Sequence, residues 1–148
     1  MRPQFVFNAG PGRLGKQLVL LTAPLSATIA ANTTTPQNAG GPLSPAAVEK
    51  VGLSSRVWPS DADGDITVIV YKVDRFSQTV ALTAAFDIEA ATRDGDELYP
   101  IPLLPTLTDA QLVFQPGDTF RIVATNNSAA INTQPSDLRF HAEMAVLR

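Results

Sequence analysis

His141 is the sole histidine of this 148-residue chain. Imidazole is the usual general base near neutral pH and the usual partner of a nucleophilic serine. Here it falls on the polar side of an alternating stretch, far in sequence from any nucleophile signal, and no G-x-S-x-G elbow is present. A solvated strand histidine is the stronger reading. Asp61, Asp63 and Asp65, set around Gly64, have the look of a calcium loop. Calcium needs six to eight oxygens, and the EF-hand pattern places glycine sixth and a bidentate glutamate twelfth. Here the glycine comes fourth and the twelfth residue is Lys72, so the segment reads as a tight turn, as does Asp94-Gly95-Asp96. Glu89, Glu97 and Glu143 could supply the paired carboxylates of a glycosidase, which must stand roughly 5–9 Å apart across a sugar. Only Glu143 falls in a well-defined strand, and nothing in the spacing brings two of them together. There is no cysteine, no CxxC or HxH pair and no phosphate-cradling glycine loop. The expectation is a chain without catalytic residues, metal site or cofactor: not an enzyme.

The aromatic residues Trp58, Tyr71 and Tyr99 are the remaining candidates, since such rings stack on sugars. Tyr71 lies inside a strongly apolar run, which favours core packing. Trp58, in Arg56-Val57-Trp58-Pro59, stands where two textures of sequence meet. It either seals that junction or faces a ligand, and the seal is preferred.

The elements that would position these residues are strands. Charged residues make up only 17% of the chain, below the usual quarter, while 12 prolines and 9 glycines punctuate short apolar runs. Residues 65–74 (DITVIVYKVD) put Ile66, Val68 and Val70 on one face and Ile69, Tyr71 and Val73 on the other, predicting a central strand covered on both sides. Residues 79–86 alternate as a half-buried strand. Residues 87–93 could form one helical turn, and 99–107, broken by Pro100, Pro102 and Pro105, belongs at a sheet edge or outside it. Gln115-Pro116-Gly117-Asp118 is a type II turn signature that launches a strand over 119–125. Residues 137–147 carry the cleanest alternation, with Leu138, Phe140, Ala142, Met144 and Val146 against Arg139, His141 and Glu143. The architecture predicted is an all-β antiparallel sandwich, in its preferred version a jelly roll.

The leading third is different. Pro3, Pro11, Pro24, Pro36, Pro42 and Pro45, with Gly10, Gly12, Gly15, Gly40 and Gly41, leave room for one good strand over 17–22. Ser44-Pro45 could open one helical turn over 44–50. Residues 1–52 therefore read as an extended Pro/Gly-rich N-terminal arm, and 53–148 as the sandwich body. The apolar stretch 17–31 has some marks of a secretory signal. Its lead-in is too long, however, and is broken by Gly10-Pro11-Gly12, while Pro24 interrupts the stretch, so retention is expected. No run reaches the ~20 apolar residues of a membrane helix. With 11 basic against 14 acidic residues and no basic stripe, nucleic acid is not an expected partner.

Over roughly 53–148 the chain resembles the decoration (cement) proteins of tailed-phage heads. The resemblance is carried by Asp63-Gly64 leading into DITVIVYKVD, by LTAAFDIEAAT, by the Pro116-Gly117-Asp118 turn with TFRIVATNNS, and by the closing INTQPSDLRFHAEMAVLR. It implies a jelly-roll body on the virion surface that binds the major capsid protein, forms homotrimers and laces neighbours together with its N-terminal arm. On that reading Phe5, Val6, Phe7, Leu14, Leu18 and Leu20 are the arm's anchors, each worth about 1.5–3 kcal/mol when fully buried. Arg13 and Trp58 complete the expected interface. The alternative is a carbohydrate- or receptor-binding β-sandwich of a phage fibre or tail, which would present an exposed aromatic platform.

Overall fold

The computed structural model describes residues 18–25, 34–55, 66–88, 98–127 and 139–147. Ten strands and one short helix follow one another: β1 (Leu18–Pro24), β2 (Thr34–Gly40), β3 (Ala46–Ser54), β4 (Ile66–Val73), β5 (Thr79–Ala81), β6 (Phe86–Ile88), β7 (Leu98–Ile101), α1 (Asp109–Leu112), β8 (Val113–Phe114), β9 (Thr119–Asn126) and β10 (Arg139–Val146). They form two antiparallel sheets, ordered β1-β10-β3-β7 and β2-β9-β4-β5. β8 continues the β7 position along β3, and β6 continues the β5 position along β4. Counted by position, that is eight strands in two facing sheets of four, which is the jelly roll.

Alternation explains the core. Ile66, Val68 and Val70 of β4, Phe120, Ile122 and Ala124 of β9, and Phe140, Ala142 and Met144 of β10 all point inward and are buried. Phe120 stacks on Phe114 with ring centroids 4.3 Å apart and meets Phe140 at 5.0 Å, so these rings tie one sheet to the other. The type II turn is present: the Asp118 amide donates to the Gln115 carbonyl at 3.0 Å, and Gly117 supplies φ +98°. β7, with Pro100 inside it, pairs only with β3 and so lies at the edge the prolines require.

Several expectations need correcting. The segment 44–50 is not a helical turn; it enters β3, an interior strand with Val48, Val51 and Leu53 in the core. The reason is a bulge. β10 pairs Glu143 with Lys50 and Met144 with Val48, which leaves Glu49 as an extra residue in β3 and shifts the inward phase by one. Of residues 1–52, those in β1, β2 and most of β3 are therefore sheet strands, three where one was expected, while residues 1–17 lie outside the described residues. Residues 86–88, partly expected as a helical turn, form β6; the rest of that turn lies outside the described residues. The strand expected over 79–86 is interrupted. Leu82 turns fully inward, and the Thr83 hydroxyl accepts the Val70 N–H at 3.1 Å where the ladder is broken. Lastly, β4 is central in its sheet, but its second face is the outside of the sandwich. Tyr71 is half-buried there rather than in the core.

Candidate functional site

β1 is the element that stands out. It pairs with β10 in the register Leu18↔Ala145 to Pro24↔Arg139, and among the described residues nothing pairs with its other side. Leu21 and Ala23 pack against the core, whereas Leu18 and Leu20 alternate outward with 50% and 68% of their surface exposed; Val19, at the strand's start, is 40% exposed. From Leu18 to Leu25 the chain carries no charge. Of the residues expected at an interface, Leu18 and Leu20 are thus brought together on one open edge. Phe5, Val6, Phe7, Arg13, Leu14 and Trp58 lie outside the described residues. Val19, exposed beside them, was not among the expected residues, because strand alternation alone points it inward.

Two further exposed apolar side chains, unmarked in the sequence, lie toward one end of the sandwich. The loop at Gly41, the turn at Asp74–Gln78 and the turn at Gln115–Asp118 meet there. The Asp118 carboxylate accepts N–H bonds from Arg75 at 3.2 Å and Gln115 at 2.9 Å, while Gly41 lies so close to the Asp118 carbonyl that a Cβ would collide with it. The Asp74 carboxylate accepts the Phe76 and Gln78 N–H groups, each at 2.8 Å, which fixes the turn. That rigid turn holds Phe76 out with 71% of its surface exposed and the Arg75 guanidinium 5.2 Å from the ring. Leu43, in the neighbouring loop, is 98% exposed.

His141 sits on the outer side of β10, between β1 and β3. Its Nε2 is 2.6 Å from Ser54 Oγ of β3 and its Nδ1 is 3.3 Å from Thr22 Oγ1 of β1. A hydroxyl can donate or accept, so either tautomer is satisfied and the ring stitches three strands together. For Ser54 to become a nucleophile, the imidazole would need an acceptor that orients and stabilises its cation; Thr22 supplies a neutral hydroxyl in that place. Burial, and then the neighbouring Arg139 charge, lower the His141 pKa from its usual 6.5. Below pH 6.5 the unfolded chain takes up this proton while the folded chain resists it, so stability that is intact above 6.5 declines as the pH falls. His141→Gln should therefore lose less stability than the parent between pH 7.5 and 5.5, read as the shift in urea midpoint.

The other candidates do not converge. Glu143 is on the outer side of β10; Glu89, Glu97, Asp61, Asp63, Asp65, Asp94 and Asp96 lie outside the described residues. Tyr71 borders a shallow open depression on the outer face of the second sheet, with Pro36, Thr79, Arg121 and Val123. Tyr99 packs against the core. Among the described residues no three His, Cys, Asp or Glu side chains are grouped so as to hold a metal ion, and no helix is long and apolar enough to cross a membrane.

No protein-family model matches the chain. No curated protein matches it. Among solved structures, the chain is similar to one from the cyanophage Pam1 capsid asymmetric unit, with 18% identity and a TM-score of 0.47, covering 97% of this chain and 95% of that one. A chain of infectious bursal disease virus, Gx strain, gives 13% identity and a TM-score of 0.41; 97% of this chain is covered but only 36% of the viral one. A chain of Desmodium yellow mottle tymovirus gives 10% identity and a TM-score of 0.39, with 97% and 95% covered.

Proposed function

We propose that the protein is a structural subunit of a virus particle: a decoration or cement protein that binds the outside of the major capsid lattice and stabilises it through contacts between its own copies. The observation that carries this reading is the uncharged β1 edge with Leu18, Val19 and Leu20 facing solvent. An open apolar strand edge is a liability for a lone monomer and an asset for a protein that works assembled. The sequence resemblance of the sandwich to head decoration proteins supports the virion as the place of assembly. The rigid end bearing Phe76 and Leu43 fits the contact with the shell, since a fixed aromatic beside an arginine is the usual make-up of an interface hot spot. Residues 1–17, with Phe5, Val6 and Phe7, serve as the arm that reaches a neighbour.

The test is to raise antibodies against the full chain and apply them to intact virions of the source virus in negative stain. Labelling over the particle surface is the expected result. Labelling restricted to burst particles, or none at all, would overturn the proposal.

A further inference from the structure

We infer that β1 is a homotypic pairing strand: the β1 edge of one copy adds antiparallel to the β1 edge of a second copy about a two-fold axis, with Leu20 opposite Leu20. This rests on the reading of the protein as an assembling subunit and names the contact.

The case comes from comparing the four sheet edges. A strand edge exposes unpaired N–H and C=O groups, and proteins that must not associate blunt it with proline, charge or brevity. β2 carries Pro36 in its middle, and β7 carries Pro100. β5 and β6, which share the third edge, have three residues each. β1 has seven residues, and its only proline is the last. Among the described residues it alone is unblunted, and it carries two exposed leucines, Leu18 and Leu20, where the β7 edge carries one, Leu98.

What adds to such an edge by backbone pairing is an extended chain with its own free row of N–H and C=O groups. Among the described residues, the one unblunted row of that kind is β1 of another copy. Self-pairing suits its chemistry. Antiparallel pairing of two identical strands sets every residue against its mirror position, so any charge off the centre has to find its opposite and a central charge meets itself. β1 has no charge to bring into conflict. With Leu20 at the centre, Leu18 faces Thr22 on the outer side and Val19 faces Leu21 on the inner side, so the exposed Leu18, Val19 and Leu20 are covered together. The two sheets become one. In a trimeric decoration protein the same contact would join trimer to trimer.

The chain has no cysteine, which makes the test direct. Residues opposed across an antiparallel pair have Cβ atoms about 4.5–5.5 Å apart, close to disulfide geometry. In a glutathione redox buffer, Leu20→Cys should give mostly disulfide-linked dimer on a non-reducing gel. Leu98→Cys on β7, at a position 50% exposed, and Leu43→Cys should stay monomeric. Leu20→Lys and Leu20→Glu should each weaken self-association at least tenfold, and mixing the two should restore it; light scattering reads both. The proposal is overturned if Leu20→Cys cross-links no better than Leu98→Cys, or if Leu20→Lys associates as the parent does. It is also overturned if Phe5→Cys/Leu20→Cys closes a disulfide within one chain, since the chain's own leader then covers the edge. Virion labelling separates the two readings: a labelled particle with an unlinked Leu20→Cys removes only the pairing, and linkage without labelling removes only the virion.

Discussion

Phe120→Ala is expected to lower the free energy of unfolding by about 3–5 kcal/mol, the usual cost of deleting a large buried ring whose neighbours cannot close the gap. Phe120 is fully buried and in ring contact with Phe114 on β8 and Phe140 on β10, so the cavity opens where the two sheets meet. Relaxation is limited because both neighbours are anchored in the opposite sheet. Urea titration of the full chain gives the value, through the shift in midpoint at unchanged slope. A loss below 1 kcal/mol would mean that the rings do not form the bridge described. Phe120→Leu, which keeps most of the volume, should recover more than half of the loss.

Asp118→Ala should cost about 2–4 kcal/mol, although it removes only a small polar side chain. Asp118 is 5% exposed, and its two oxygens separately accept the Arg75 and Gln115 N–H groups. Deleting the carboxylate strands two backbone donors, each worth about 1–3 kcal/mol when left unpaired out of reach of water. It also removes the anion 3.9 Å from the Lys72 ammonium. That lysine is an inward position of β4 at the end of the core. Its Nζ stands 5.5 Å from the Phe114 ring centroid and donates to the Val113 carbonyl at 2.6 Å, which already satisfies part of its charge. The ion pair at 3.9 Å is therefore the smaller part of the loss. Asp118→Asn keeps one acceptor and should fall about midway between alanine and the parent. If alanine and asparagine are equally mild in urea titration, the turn does not depend on this side chain.

How much of this was legible in the sequence depends on where period-two alternation runs unbroken. β4, β9 and β10 do so: Phe120, Ile122 and Ala124, and Phe140, Ala142 and Met144, are buried as groups, whereas of the two faces of β4 expected to be covered the inward one is that of Ile66, Val68 and Val70. β3 does not. With Glu49 inserted, its inward residues fall at Ala46, Val48, Val51 and Leu53. The step of three from Val48 to Val51 mimics a helix, and Ser44-Pro45 mimics a helix start. β2 offered no signal because an edge strand of threonines, proline and glycine carries no alternating apolar pattern. The helix α1 was readable and missed. Thr108-Asp109-Ala110-Gln111 is a capping box, with the Gln111 N–H on the Thr108 hydroxyl and the Thr108 N–H on the Gln111 side chain. No apolar run follows it, so its four residues left no periodicity. For the proposed interface, Leu18 and Leu20 were expected as anchors because leucines in a proline-rich leader have few places to hide. That they lie on an open strand edge was not, since the pairing of β1 with β10 joins residues far apart in the chain. The Ser54–His141 contact was hidden in the same way, by a separation of 87 positions.

The placement of β10 between β1 and β3 has a consequence for biosynthesis. The middle of that sheet is made last, so a growing polypeptide on the ribosome holds two strands with no neighbour to divide them until residues 139–146 have emerged. Folding of this half must wait until that segment is free of the ribosome. During that interval the newborn chain depends on chaperones, or on dilution, to keep its leucines from the wrong company.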